Sequence, residues 1–231
     1  MDSDTALRSE APGTMGPTGR PLPDFPEPAP LASHGPARII AMCNQKGGVG
    51  KTTTTINLGA ALAEVGRRVL LVDFDPQGAL SVGLGIPTHE LDVTSYNLRT
   101  ERGHDVRDVI AHTKVEGLDV LPANIDLSAA EVQLVGEVAR EQILARVLRP
   151  VIDEYDVILI DCQPSLGLLT VNALTAAHGV IIPLECEFFA MRGVALLVET
   201  IAKITDRRNP RPPVDPTLAA PTAGRTRDPR A

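Results

Sequence analysis

Short runs of apolar residues recur through the middle of the chain, and stretches with helical spacing separate them. The runs are rich in Val, Ile and Leu, and they do not alternate with polar positions as a half-exposed strand would. Near-continuous apolar strands are typical of a parallel sheet whose two faces are both covered by helices. The pattern predicts five strands, at residues 38–43, 69–73, 118–123, 157–161 and 179–183.

Helical spacing of apolar residues fills the connections between these runs. Helices are predicted at residues 52–65, 95–101, 105–113, 125–155, 165–178 and 192–208. Pro150 is expected to bend or interrupt the fourth of them. The alternation predicts an α/β fold with a doubly wound, mostly parallel sheet and helices on both faces. A ligand site is expected at the carboxyl ends of its strands.

Proline is concentrated at the two ends of the chain. Of the 20 prolines, eight lie in residues 1–36 and six in residues 210–231. Polar, proline-rich segments without apolar periodicity cannot bury enough surface to offset their chain entropy. We therefore predict disordered tails at residues 1–36 and 210–231, with one compact domain over residues 37–209.

The charge, the N-terminus and the apolar runs of the chain argue against a tightly DNA-binding domain, a signal peptide and a membrane span. The 231 residues carry a net charge of −7, and the predicted domain shows no strong basic footprint for nucleic acid, which argues against tight DNA binding by this domain alone. The acidic N-terminus lacks the apolar segment of a signal peptide, and no apolar run approaches the ~18 residues of a membrane span. A cytoplasmic protein without membrane contact is expected.

The three cysteines are Cys43, Cys162 and Cys186, which are far apart and lack C-x-x-C spacing. Such cysteines usually serve as small apolar residues in a reduced protein. An iron–sulfur site, which would need a suitably exposed pair of cysteines, is an alternative. The five histidines show no metal-ligand spacing.

The stretch KGGVGKTT at residues 46–53 lies between the first predicted strand and the first predicted helix. Its three glycines allow a tight turn whose backbone amides can point at phosphate oxygens. Lys51 can neutralise phosphate charge, Thr52 can offer its hydroxyl to Mg²⁺, and the helix directs its N-terminus at the same place. The predicted nucleotide contacts in this stretch are Lys46, Gly47, Gly48, Val49, Gly50, Lys51, Thr52 and Thr53.

Two of the apolar strands end in aspartates. VLLVDFDPQG carries Asp73 and Asp75, and VILIDCQP carries Asp161. Two carboxylates as close as the first pair repel each other unless a cation lies between them. A strand-terminal aspartate beside a phosphate loop suits the carboxylate that acts on the Mg²⁺ of a nucleotide.

KGGVGKTT, VLLVDFDPQG and VILIDCQPSLG, followed by PLECEFFAMRG, resemble the ParA/MinD superfamily, and most of all its ParA-type (Soj-like) partition ATPases. The resemblance runs from about Arg38 to about Asn209. The first stretch has the form of the deviant Walker A motif, KGGxGK[ST], which explains the Gln45 found where other phosphate loops have glycine. The resemblance therefore implies a P-loop NTPase fold that binds ATP and Mg²⁺.

The resemblance also implies the roles of individual residues. Lys51 contacts the phosphates, and Asp75 positions the attacking water. Lys46 is the signature lysine, which crosses a dimer interface to the partner's nucleotide and supplies the charge that an arginine finger gives other NTPases.

For the metal, the resemblance implies that Thr52 ligates Mg²⁺ directly. Asp161, as the Walker B carboxylate, acts on Mg²⁺ through water. Asp73 supports the lysines and the metal.

The implied function is Mg²⁺-dependent ATP hydrolysis that drives the partitioning of a chromosome or plasmid. In the family, an ATP-sandwich homodimer binds DNA without sequence preference, and a centromere-binding partner of the ParB type stimulates hydrolysis. A protein that retains DNA binding would be associated with the nucleoid.

Beyond Asn209 the sequence departs from the family pattern. The family continues with strands and closing helices, whereas this chain reads RPPVDPTLAAPTAGRTRDPRA, in which prolines remove the donors that a central strand needs. We expect a fold without the last strands and closing helices, as a truncated or frameshifted reading frame would give. One alternative is a truncated nucleotide-binding regulator without DNA binding. Another is a MinD-like cell-division ATPase, which would need a basic amphipathic helix that this tail cannot form.

Overall fold

The computed structural model describes residues 28–88, 105–123, 127–129, 134–184, 190–207 and 215–219. Residues 31–231 form one compact unit. Residues 1–30 form a second unit, of which residues 28–30 are described; these three are exposed and have no regular structure. The helix predicted at residues 95–101 lies outside the described residues.

A mostly parallel sheet of seven strands forms the centre of the larger unit. The strands are β1 (Arg38–Met42), β2 (Val69–Phe74), β3 (Ala111–His112), β4 (Leu118–Leu121), β5 (Val157–Cys162), β6 (Gly179–Pro183) and β7 (Asp215–Ala219). Their order across the sheet is β3-β4-β2-β5-β1-β6-β7, and only the pairing of β3 with β4 is antiparallel in this sheet.

Six α-helices are described in this unit: α1 (Lys51–Glu64), α2 (Ala79–Gly83), α3 (Val106–Val109), α4 (Ile143–Leu148), α5 (Leu168–Ala176) and α6 (Ala190–Arg207). Three short 3-10 helices accompany them, at Leu134–Gly136, Arg140–Gln142 and Arg149–Val151. In the part of the chain that the structure describes, no helix combines the length and the apolar character that crossing a membrane requires.

Successive residues of the central strands enter two separate apolar layers. Leu71 and Leu159 pack with α1 and α2 on one face, whereas Leu70 and Ile158 pack with α3, α4, α5 and α6 on the other. Gly59 allows α1 to lie close against the sheet, because a Cβ at this position would come within 2.7 Å of Leu71 Cδ2. Both faces of the sheet are covered, as the uninterrupted apolar runs predict.

The five predicted strands are confirmed as β1, β2, β4, β5 and β6, with ends that differ by at most two residues. The predicted helices at residues 52–65, 165–178 and 192–208 are confirmed as α1, α5 and α6. The helix predicted at residues 105–113 is confirmed only as the single turn of α3, because the chain enters β3 directly after it. β3, with two residues, is too short to produce an apolar pattern.

The single long helix predicted at residues 125–155 is wrong. Its described part consists of short helical pieces, and Pro150 lies in the last of the 3-10 helices. Ala139 has a φ of 55°, a left-handed conformation that cannot continue a helix. Asn172 of α5 stabilises the break: its Nδ2 donates to Arg140 O at 2.9 Å, and its Oδ1 accepts from Leu144 N at 3.2 Å. Tertiary hydrogen bonds thus replace helical ones.

Both predicted disordered tails include residues that pair with the folded domain. β7 lies within residues 210–231 and pairs in parallel with β6, so the prediction of disorder is wrong for these five residues. Pro216 is compatible with β7 because an edge strand tolerates a missing donor. At the other end, Asp156 accepts a hydrogen bond from Gly35 N at 2.9 Å and contacts His34 Nδ1 at 2.8 Å. The ordered chain therefore begins before residue 37.

Candidate active site

The ends of three neighbouring strands bring the predicted site residues together. β5 lies between β1 and β2, and the register pairs Asp161 with Met42 on one side and with Asp73 on the other. The loop that follows β1 therefore lies beside both aspartates. The site occupies the carboxyl edge of the sheet, which is where an open α/β sheet binds its ligands.

Asn44 fixes the start of the loop. It is buried, its Nδ2 donates to Pro183 O at 2.7 Å, and its Oδ1 accepts from Lys46 N at 2.9 Å. These bonds tie the loop to the end of β6, which is 139 residues away in the sequence. Asn44 lies outside the sequence motif at residues 46–53; the available signal was a polar residue between a buried strand and a glycine loop.

The loop glycines have two different reasons to be glycine. Gly48 and Gly50 have φ values of 76° and 82°, in the left-handed region where a side chain is strained. Gly47 has no positive φ, and a Cβ there would meet nothing within 4 Å. The conformation of the loop does not require glycine at position 47. Its missing side chain instead suits the close approach of a ligand to the backbone.

Lys51 is the first residue of α1 and lies over the loop that precedes it. The residue is 7% exposed, and its Nζ donates to Lys46 O at 3.1 Å. The charged amine is therefore held against the loop, at the N-terminus of a 14-residue helix. Unpaired backbone amides and a helix dipole favour an anion at such a position.

Asp161 has an unsatisfied oxygen. The residue is 1% exposed, and among the described residues its Oδ1 is a buried side-chain atom without any hydrogen-bond partner. Burial raises the pKa of Asp161 to about 7, although the hydrogen bond with the Thr52 side chain and the charge of Lys51 lower it. A buried oxygen without a partner is costly. Because Mg²⁺ prefers oxygen ligands, the Thr52 hydroxyl and the Asp161 carboxylate fit this ion.

Asp73 is also buried, but its carboxylate is satisfied by the protein. Oδ2 accepts from Ser81 N at 2.9 Å and from Ser81 Oγ at 2.6 Å, and Oδ1 accepts from Asp75 N at 3.3 Å. Burial raises the pKa of Asp73 to about 6, while these hydrogen bonds lower it. Its support of the lysines and the metal, expected from the resemblance, stays a prediction. Ser81, which the sequence analysis missed, is its principal partner.

Asp75 lies in the turn after β2 and is half-buried. Its Oδ1 accepts from Gln77 N at 3.0 Å, and its carbonyl accepts from Gly78 N at 2.9 Å. Its charge is close enough to raise the pKa of Asp161. Asp75 therefore presents an oriented carboxylate at the border between the site and solvent.

The remaining residues of the motif differ in what they can offer a ligand. The side chain of Val49 is buried, so only its backbone can contact a nucleotide, whereas Thr53 is exposed on α1. Lys46 is also exposed, and its backbone is bonded to Asn44 on one side and to Lys51 on the other. Its predicted reach into a second subunit stays a prediction.

Cys43 and Cys162 are adjacent at the ends of β1 and β5. Both are free and buried, and their sulfur atoms are 3.2 Å apart. Thiols without exposure do not suit the iron–sulfur alternative, and within the described ranges no cluster of three or more His, Cys, Asp or Glu residues could hold a metal ion. Cys186 lies outside those ranges.

Comparisons with known proteins agree with this arrangement. Residues 37–212 match the AAA domain family. The chain is 66% identical over 197 residues to an uncharacterised protein of Mycobacterium tuberculosis, covering 85% of this chain and 62% of that protein. It is 49% identical over 182 residues to the chromosome partitioning protein ParA of Caulobacter vibrioides, covering 78% of this chain and 67% of that protein.

A solved structure extends the comparison to the fold. The structure of a cobyrinic acid a,c-diamide synthase from Mycobacterium smegmatis, with bound ADP and magnesium, matches with a TM-score of 0.73 at 47% identity. The match covers 80% of this chain and 74% of that one. The predicted P-loop NTPase fold is therefore confirmed. The chain spans 62% of the length of the M. tuberculosis relative. Its match to the AAA domain and its identity to ParA show that the chain belongs to the ParA family.

Proposed function

We propose that this protein binds ATP with Mg²⁺ and hydrolyses it, and that the cycle drives the partitioning of a chromosome or plasmid. The observation that carries the proposal is Asp161 Oδ1, which is buried without a partner beside Thr52 at the start of α1. A phosphate loop, a helix N-terminus and an unsatisfied carboxylate at one edge are what a Mg²⁺–nucleotide complex requires. The ParA relative and the neighbour with ADP and magnesium support this function.

Each part of the site has a distinct task in binding. Thr52 and Asp161 would hold Mg²⁺, which would supply positive charge to the phosphate oxygens. The loop amides donate to those oxygens, and Lys51, held at 3.1 Å from Lys46 O, adds a second positive charge. Because the glycines leave the outer side of the loop open, the phosphates can approach the backbone closely.

Asp75 is the residue best placed to orient the attacking water. Its carboxylate borders solvent and is held by Gln77 N, so it can accept a hydrogen bond from water in a fixed direction. Oriented groups of this kind lower the barrier because they remove the cost of finding the reactive geometry.

The rest of the proposed cycle needs a second copy of the chain. Lys46 leaves a rigid stretch of backbone and is exposed, which suits a lysine that reaches the nucleotide of a partner subunit. The ATP-bound homodimer would bind DNA without sequence preference, and a ParB-type centromere-binding protein would stimulate hydrolysis. We expect the protein in the cytoplasm, associated with the nucleoid.

The nucleotide step is tested by thermal unfolding and phosphate release with Mg²⁺-ATP. Ligand at ~100 times its Kd stabilises a protein by about 2.7 kcal/mol, which gives a clear shift in Tm. Lys51→Gln should lose this shift and the ATPase activity. Lys203→Gln, which changes an exposed lysine that pairs with Glu199 on α6, should keep both.

Equal shifts for Lys51→Gln and the control, or no shift for the unmodified protein, would contradict nucleotide binding at this site. Hydrolysis that depends on cobyrinic acid and an amide donor would instead point to the synthase activity named for the structural neighbour.

DNA binding needs its own assay because the chain spans 62% of the M. tuberculosis relative. Retention on DNA-cellulose should require Mg²⁺-ATP and should fall when a ParB-type partner is added. Nucleotide binding without retention would favour the alternative of a nucleotide-binding regulator that does not bind DNA.

A further inference from the structure

Ser81 is a completely buried residue of α2 whose hydroxyl has a fixed direction. Its Oγ donates to Asp73 Oδ2 at 2.6 Å, and it accepts from Ala123 N at 3.3 Å. A hydroxyl has a single proton, and the Ala123 amide needs an acceptor. The proton is therefore committed to Asp73. Ser81 thus joins α2 to the end of β2 and to the chain that follows β4.

Asp73 in turn holds both ends of the segment that leads from β2 to α2. Its Oδ2 accepts from Ser81 N at 2.9 Å at the far end, and its Oδ1 accepts from Asp75 N at 3.3 Å at the near end. Because Asp73 is fully buried, its carboxylate acts on this backbone and not on solvent. Asp75 itself is the near end of this segment.

We propose that Ser81 is a positioning residue for ATP hydrolysis, which acts through the buried Asp73 carboxylate to fix the backbone of Asp75. The catalytic consequence rests on the proposed function, in which Asp75 orients the attacking water. The fixing of the segment does not depend on that function and can be measured without nucleotide.

Ser81→Ala separates hydrolysis from binding. It removes the hydroxyl, so Asp73 keeps only the amide at position 81, and the amide of Ala123 loses its acceptor. The phosphate loop lies between β1 and α1, and Asn44 and Lys51 make their hydrogen bonds to Pro183 and Lys46 and not to Ser81. We expect kcat to fall by about tenfold or more, since small displacements of a reacting group are costly, while the Kd for Mg²⁺-ATP changes by less than about threefold.

Two further variants distinguish positioning from a general loss of stability. Ser81→Thr keeps the hydroxyl and should restore kcat. Thr170 of α5 has another buried hydroxyl, whose Oγ1 donates to Ser165 O at 2.7 Å. Thr170→Ala removes it and should leave kcat unchanged. If Ser81→Ala does not fold, Ser81→Cys takes its place, because a thiol has similar size but is a weak donor.

A double-mutant cycle tests whether Ser81 acts through Asp75. In an Asp75→Ala background, Ser81→Ala should cause no further loss of kcat, because both changes disrupt the same step. Fully additive losses would overturn the proposal, as would a drop in nucleotide affinity that accounts for the whole effect.

Amide hydrogen exchange in the nucleotide-free protein gives an independent result. Exchange across residues 75–81 should be faster in Ser81→Ala than in the unmodified protein or Thr170→Ala. Unchanged exchange overturns the inference, whether or not the protein hydrolyses ATP. Absence of ATP hydrolysis, by contrast, would refute only the proposed function. Faster exchange with unchanged kcat in an active protein overturns the catalytic role of Ser81.

Discussion

Asp161→Asn is expected to stabilise the nucleotide-free protein while it destroys the response to Mg²⁺-ATP. The reason is the missing partner of Asp161 Oδ1, since a buried ionised carboxylate with an unsatisfied oxygen favours unfolding. Asparagine has nearly the same shape and carries no charge, so the change removes the electrostatic cost without opening a cavity.

The magnitude and its pH dependence follow from the pKa of Asp161, which burial raises from 3.8 to about 7. Below pH 4 the carboxyl is protonated in both states, and it costs nothing. Between about pH 4 and pH 7 the unfolded state loses its proton first, so stability falls as the pH rises. Above pH 7 the carboxylate is ionised in both states, and its raised pKa lowers the free energy of unfolding by at most about 4 kcal/mol. The buried amide of asparagine retains part of that cost, so we expect a net gain of about 1–3 kcal/mol at pH 8.

Urea unfolding followed by circular dichroism, with a chelator to remove divalent ions, measures this difference at pH 5 and at pH 8. The gain from Asp161→Asn should be larger at pH 8, and Mg²⁺-ATP should then stabilise only the unmodified protein. A variant that is less stable at pH 8, or a difference that does not change with pH, would refute the reasoning. Equal stabilisation of both proteins by Mg²⁺-ATP would remove Asp161 from the metal site.

Three other substitutions separate the remaining roles. Lys46→Ala should abolish the ATP-dependent dimer but keep nucleotide binding, whereas the control Lys203→Ala should still dimerise. Size-exclusion chromatography with a non-hydrolysable ATP analogue measures the oligomeric state. A Lys46→Ala protein that still dimerises would contradict the role of Lys46 in the partner's site. Asp75→Ala should slow phosphate release by about 10²-fold without weakening nucleotide binding, and unchanged turnover would exclude it from orienting water. Asp156→Ala loses the bonds from the amides of Gly35 and Arg68, so it should cost about 2 kcal/mol and expose the segment before β1 to proteases. Retained protease resistance would show that this carboxylate does not anchor the segment.

Most of the sheet could be predicted because its strands are buried on both faces. A strand such as β2, with all six residues buried, leaves an apolar run in the sequence that only Asp73 interrupts. β7 leaves no such run, and Pro216 argues against a strand unless the segment lies at an edge, which only the assembled sheet reveals. The break at Ala139 was unpredictable for a related reason, since the Asn172 that stabilises it belongs to another helix.

The candidate site, like the sheet, has parts that the sequence predicts and parts that it does not. The predicted phosphate loop is local in sequence, so its spacing was enough to select Lys51, Thr52 and the glycines as candidates. Asn44 and Ser81 have partners far along the chain, at Pro183 and Ala123, and their functions depend on contacts that no local pattern encodes. The sequence therefore indicates the groups that we propose to face a ligand better than the groups that hold them in place.

The three aspartates show why burial alone does not assign a metal ligand. Asp73 and Asp161 are paired in register and are both fully buried, and burial raises the pKa of each. They differ in their hydrogen bonds: the oxygens of Asp73 accept three protein donors, whereas Asp161 Oδ1 accepts none. A cation would gain little from a carboxylate that is already satisfied, and much from one that is not. The missing hydrogen bond is therefore our reason for proposing Asp161, and not Asp73, as the carboxylate for Mg²⁺, while Asp73 accepts from the backbone of Asp75.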